Sequence, residues 1–351
     1  MLKKKIIAVS TAALLTLAMS ATAFAHDGWS QTNVPIIAQG EVSYVDLQFG
    51  NHSNEHKSYR ITGQWNKDTS KVYVTSPSGK KSDITSTRFY TGEAATEKEP
   101  AVNNGFVATF SASSPGAYIV SAESNSINKT SASRSMSSTK SFVAVSDIPT
   151  FERVKKLNGF SASVTPDRAE LIPLFNPAAV TADQQVSVQL ILKGKPVAAA
   201  EVVVIRRSNS ETQILTTNEK GIITFKTGPA DYYLLRGATS EAVTDQADYK
   251  TINYKATATF TVQNAVAKLP VGQPKALPYT YLDGKLIETN DIPIQNGTTY
   301  APASFITSNV DSGFTGIGKV SLRSTVEGLG AKIEYLPAVG DTRAAILIYT
   351  K

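Results

Sequence analysis

The sequence predicts a mainly β protein: two tandem β-sandwich domains of immunoglobulin-like or Greek-key type, then a small α+β unit. Three observations predict it. Short alternating runs rich in Val, Tyr, Thr and Phe recur along the chain, bounded by Gly, Pro, Asn and Ser. Their lengths and spacing are those of a sandwich. Helical periodicity is confined to one stretch near the end of the chain.

Residues 1–25 read as a signal peptide. Lys3, Lys4 and Lys5 precede a mostly apolar run over 6–19, and Ala23-Phe24-Ala25 offers the small-x-small cleavage pattern. The apolar run is short for a bilayer span, and no second long one follows. Cleavage there makes His26 the first residue. It also lowers the formal net charge from +6 to +3, because the removed segment carries three lysines and no acids. Lys and Arg are dispersed, so no nucleic-acid partner is expected. The 351 residues contain no cysteine, which excludes disulfides, thiolate metal sites and a thiol nucleophile. A secreted or extracytoplasmic protein is expected, with attachment to the cell envelope left open.

The first sandwich is expected over 26–146, with strands at 42–49, 71–76, 105–110 and 117–122. Ser76-Pro77-Ser78-Gly79 and Ser114-Pro115-Gly116 mark turns between them. Residues 127–141 are dominated by Ser, Thr and Lys, which reads as a mobile loop before a last strand at 141–145. The second sandwich is expected over 147–264. Apolar strands at 186–192 and 200–206 flank Gly194-Lys195-Pro196, and a hairpin over Asn218-Glu219-Lys220-Gly221 joins 211–217 to 222–226. Residues 265–278 are a Pro- and Gly-containing linker. The last unit, 279–351, carries short strands and one helix over 319–329, on the i, i+4, i+7 spacing of Leu322, Val326 and Leu329, with Gly330 at the C-cap.

All three histidines lie between residues 26 and 56. An N-terminal His26 offers an α-amine and an imidazole on one residue, a ready chelate for a divalent transition metal. His52 and His56 sit in the polar, turn-forming stretch 50–56 and supply further nitrogens. Imidazole suits Cu, Zn, Ni and Co, and the α-amine, with a pKa near 8, gives up its proton to a metal near neutral pH. Cu(II) binds such a site most tightly in isolation. Asp27 reads either as an acceptor behind His26 or as a solvated aspartate. Trp29 and Trp65 read either as pocket walls or as core. There is no Gly-x-Ser-x-Gly, His-Glu-x-x-His or phosphate loop. No enzyme activity is therefore expected, a copper-dependent oxidative enzyme being the remote alternative.

Two resemblances add to this reading. His26-Asp27-Gly28-Trp29, Gly50-Asn51-His52 and the run Glu170-Leu171-Ile172-Pro173-Leu174-Phe175-Asn176-Pro177, followed by Gly194-Lys195-Pro196, resemble the DUF4198 family over about 26–264. That family is related to an accessory component of nickel and cobalt uptake. The resemblance implies two β-sandwiches and the handling of a transition metal, with His52 on its glycine-histidine element and no family position for His56. Residues 279–351 resemble the copper amine oxidase N-terminal-like domain through Asp283-Gly284-Lys285, Ile294 to Pro302, and Val320-Ser321-Leu322-Arg323 leading into Gly328-Leu329-Gly330-Ala331. Residues 303–318 intervene where that family joins its halves directly. The domain implies no copper and no oxidase activity. The expected function is binding of Cu, Ni or Co through His26, His52 and His56 for uptake or buffering, with a membrane transporter or cell-wall component as partner. The alternative is a non-catalytic envelope interaction or adhesion module.

Overall fold

A computed structural model describes residues 27–50, 65, 68–91, 97, 105–264, 277–287, 292–340 and 342–350. The expected signal peptide, all three histidines and most of the expected linker lie outside them. The protein is mainly β, in several sheets, with three short α-helices among the described residues.

The largest sheet runs in the order Glu211–Thr216, Glu201–Arg206, Asp231–Ala242, Thr251–Gln263, Ser133–Ser146, Gly116–Asn128, Ser70–Thr75 and Lys81–Asp83. Its middle is two long hairpins, 116–128 with 133–146 and 231–242 with 251–263. They join in parallel, Thr251 opposite Ser133 through to Ala258 opposite Lys140. This ladder crosses the expected boundary at 146/147, so the two halves of the chain share one sheet.

Smaller sheets cover its two faces. Strands Asp27–Thr32, Val42–Gly50, Phe106–Ser111 and Phe89–Tyr90 form an antiparallel sheet. Its Val45, Leu47, Ala108 and Phe110 pack with Tyr118, Val120, Val143 and Val145 of the large sheet. On the opposite face, Ala117, Ile119, Phe142 and Ala144 belong to a second core with Leu171, Val188 and Leu190, from the sheet formed by Ala169–Pro173, Gln185–Leu192 and Ile222–Lys226. A sheet covered on both faces loses the apolar-polar alternation. Phe142 to Val145 and Val202 to Ile205 are accordingly all buried.

Three expectations are corrected. Residues 127–141 form the end of one strand, a tight turn and most of the next, where a mobile loop was expected. Ser137, Ser138, Thr139, Lys140 and Ser141 are buried. Between two covering layers their small hydroxyls find acceptors: Ser138 donates to the Ala169 carbonyl and Thr139 to the Ser30 hydroxyl, each at 2.5 Å. The hairpin expected over Asn218 to Gly221 is a crossover between sheets. Glu211–Thr216 pairs with Glu201–Arg206, whereas Ile222–Lys226 pairs with Gln185–Leu192. The turn chemistry itself is as expected, with Gly221 at φ +72° and Asn218 Oδ1 accepting from the Lys220 and Ile222 amides. A Cβ at Gly221 would lie 2.5 Å from the Leu190 carbonyl, so the crossover is packed tightly. Finally, the helix expected over 319–329 is a strand, Lys319–Ser321, and a helix, Leu322–Gly328. Gly330 ends it at φ +79°, its amide bonded to the Glu327 carbonyl and that of Ala331 to the Val326 carbonyl. A further helix, Ala303–Asn309, occupies the intervening segment.

The last unit is seated on the rest of the chain. Its sheet runs Lys285–Ile287, Tyr279–Leu282, Ala345–Tyr349, Lys332–Leu336. Ile333, Ile346 and Ile348 face the unit's own helices. Leu336, Ala345, Leu347 and Tyr349 join the main core instead. Arg153, fully buried, forms an ion pair with Asp147 (2.8 Å) and donates to the carbonyls of Pro337 (2.5 Å) and Arg343 (2.7 Å).

Candidate metal centre

The strand Asp27–Thr32 fixes what is described of this region. It pairs with Val42–Gly50 so that Asp27 stands opposite Gly50. His26 is one residue from one member of that pair and His52 two residues from the other. Each intervening residue spans at most about 3.6 Å. His56 is six residues beyond Gly50.

The strand is held on several sides. Trp29 is buried with Val203, Ile205 and Leu234. The Arg207 guanidinium lies 4.5 Å from the centre of the Trp29 ring and donates to Gln31 Oε1 at 2.6 Å. Thr257 donates to the Gly28 carbonyl (2.9 Å) and Thr259 to the Ser30 carbonyl (2.7 Å). Asp27 is 7% exposed and forms an ion pair with Arg236 at 2.8 Å. It is therefore not the solvated aspartate considered from sequence. Burial pushes the ammonium of Lys255 down, and the charge of Asp27 partly restores it. Residue 26 thus adjoins an anchor whose position is set by strands from both halves of the chain.

Among the described residues there is no group of three or more His, Cys, Asp or Glu able to hold a metal. The donors expected to bind are the histidine nitrogens, all outside those residues. The described structure contributes the register and anchoring of Asp27 and Gly50, which adjoin those segments in the chain. Trp29 and Trp65 are both core; the Trp65 indole donates to the Gln48 carbonyl at 2.9 Å. A groove of about 590 Å³ lies on the last unit, lined by Ala303, Ser304, Thr307 and Ile317 among others. Its lining holds no titratable group.

Glu170, the second-domain carboxylate singled out by its motif, is fully buried on Ala169–Pro173. Lys140 pairs with it at 2.6 Å, the Val164 amide donates at 2.8 Å, and the Ser163 hydroxyl donates as well. Burial pushes its pKa up, but the Lys140 charge and these three donors outweigh burial and hold the carboxylate below its ordinary range. Burial pushes the Lys140 ammonium down, and Glu170 counters it. Beside this pair, Arg168 donates to the Ser124 and Ser137 carbonyls (3.1 and 3.0 Å) and approaches Glu123, which Lys81 binds at 2.6 Å. Sequence reasoning missed Lys140, Arg168, Arg153 and Arg236. For Lys140 the available signal was a charged residue set between Thr139 and Ser141 in a Ser/Thr-rich run.

A mainly β protein of several sheets, with a core shared between its halves, is the class these observations define. Residues 23–241 match the model of DUF4198, a domain of unknown function. The chain belongs to that family. No curated protein matches it. Among solved structures, a DUF4785 family protein from Legionella pneumophila is 10% identical, with a TM-score of 0.22; the match covers 59% of this chain and 52% of that one. The chain thus spans about half the length of the Legionella protein. Escherichia coli alpha-2-macroglobulin activated by porcine elastase gives 12% identity and a TM-score of 0.20 over 68% of this chain and 20% of that one. A structure of a 1.5-MDa bacterial ice-binding adhesin gives 10% identity and 0.20 over 92% and 95%. At these scores the likenesses carry no argument.

Proposed function

We propose that the protein is a secreted, extracytoplasmic binder of a divalent transition metal, Cu, Ni or Co, and serves uptake or buffering. In this reading residues 1–25 are removed and the amine and imidazole of His26 chelate the ion. His52 supplies a third nitrogen and His56 a further one. The observation that carries the reading is the register: Asp27 pairs with Gly50 on a strand held by Arg236, Trp29 and two threonines. That pairing brings Asp27, next to His26, and Gly50, two residues before His52, to one end of one sheet. The ion is cargo, passed to or from a membrane transporter or a cell-wall component, and the protein is not an enzyme. The tandem-sandwich description of 26–146 and 147–264, the copper amine oxidase N-terminal-like character of 279–351 and the link to nickel and cobalt uptake belong to the same proposal.

Parallel calorimetric titrations of the mature protein with Cu(II), Ni(II) and Co(II) test it. One-to-one binding is expected that weakens as pH falls through about 6.5, where imidazole protonates. A profile flat from pH 5 to 8 would point to carboxylate ligands and refute the site. A second reading, an envelope interaction module, draws on Val42, Tyr44, Phe89 and Tyr90, which stay exposed on the four-stranded sheet.

A further inference from the structure

We infer that the seating of the last unit on the main body is proton-linked through Glu334: with its carboxyl neutral the unit stays docked, and with it ionised the interface loosens. Strand Lys332–Leu336 alternates its side chains between two environments. Ile333 lies in the unit's own core and Leu336 in the main core. Glu334 lies at that seam, 8% exposed, where the loop at Asn158 and Gly159 meets the unit. A Cβ on Gly159 would come within 2.6 Å of Glu334 Oε1. The two backbone amides of that loop favour the ionised carboxyl, but Glu334 Oε2 is buried with no hydrogen-bond partner among the described residues. A buried ionised carboxylate needs a cation or a full set of donors to offset desolvation.

The charged and titratable groups around it are engaged elsewhere. On its own strand, Lys332 donates to the Pro77 carbonyl (3.3 Å). On the helix beneath, Arg323 binds Glu327 and the Ile333 carbonyl (both 3.1 Å). Tyr349, on the neighbouring strand, donates to the Pro115 carbonyl, and Asp283 accepts from Thr350. Across the seam, the Tyr118 hydroxyl donates to the Ser114 carbonyl, Lys156 lies over the Tyr335 ring, and Arg153 is paired with Asp147. No cation forms an ion pair with Glu334 among the described residues. Burial accordingly pushes its pKa up to about 7, against the two amides, Lys332 and Arg323.

Released into water the group returns to its ordinary value of 4.5. Docking therefore takes up a proton between these two values. The docking constant is highest below about 4.5, falls roughly tenfold per pH unit as pH rises toward 7, and then levels off. Amide hydrogen exchange of the full chain tests this, followed over Lys332–Leu336, Ala345–Tyr349 and residues 158–161 from pH 5 to 8 and corrected for intrinsic exchange. Protection there should drop by on the order of 100-fold across that range. Glu334→Gln, neutral at every pH, should flatten the dependence, and Glu334→Met serves the same end if the amide variant does not fold. Wild-type protection independent of pH, or a variant that keeps the full dependence, would overturn the proposal.

Discussion

Glu170 and Glu334 are both buried carboxylates where separate parts of the chain meet, and they are provided for in opposite ways. Glu170 has Lys140 at 2.6 Å and two further donors, and its pKa is held low. Glu334 has a buried, unpartnered Oε2 and no ion-paired cation among the described residues, and burial raises its pKa to about 7. Burial alone does not decide the charge of a buried acid; a cation brought by the other segment does. The junction of the two halves is thus built for neutral pH, and the seam with the last unit is built for a proton.

The largest expected effect comes from breaking the compensated pair. Lys140→Met leaves Glu170 buried without its cation and should destabilise the protein by roughly 3–5 kcal/mol in denaturant unfolding. Lys140→Met with Glu170→Leu should recover most of that loss; a double variant as unstable as the single one would mean that packing, not charge, matters at the site. The pair's contribution is present above the ordinary glutamate value and is lost as pH falls through the lowered one.

Glu334→Gln should act in the opposite sense. The favourable contribution of Glu334 is fully present below about pH 4.5 and is lost by pH 7. Removing its charge should therefore stabilise the protein at pH 8 by up to about 3 kcal/mol and leave it nearly unchanged at pH 4.5. Equal effects at both pH values would collapse the contrast between the two acids. The smallest effect is expected at Gly159, where an added methyl meets Glu334 Oε1 at 2.6 Å and the Ala117 methyl at 2.9 Å. Gly159→Ala should cost about 1–3 kcal/mol, and no loss would mean the seam is looser than these distances.

Much of the fold was legible in the sequence, and the failures share a cause. Strands with alternating apolar residues, such as Val42–Gly50 and Ile222–Lys226, were found because one of their faces is polar. The Ser/Thr/Lys run was misread because a strand covered on both faces by close-packed layers can bury hydroxyls that carry no hydrophobic signal. The shared sheet was invisible because parallel pairing of Ser133–Lys140 with Thr251–Ala258 joins segments over a hundred residues apart. The Glu170 motif drew attention to the right acid, but its partner Lys140 lay in the misread run. The histidines were found from composition, and the register pairs Asp27, next to His26, with Gly50, two residues before His52.

The central claim is that His26 binds metal through its own α-amine as well as its imidazole. Calorimetric titration of the mature protein beside a form carrying one extra residue before His26 tests it most directly, using whichever of Cu(II), Ni(II) or Co(II) binds more tightly. The extended form loses the amine–imidazole chelate of one residue, and its affinity should fall by at least tenfold, about 1.4 kcal/mol. Equal affinity of the two forms would show that the amine is not a ligand and would contradict the account.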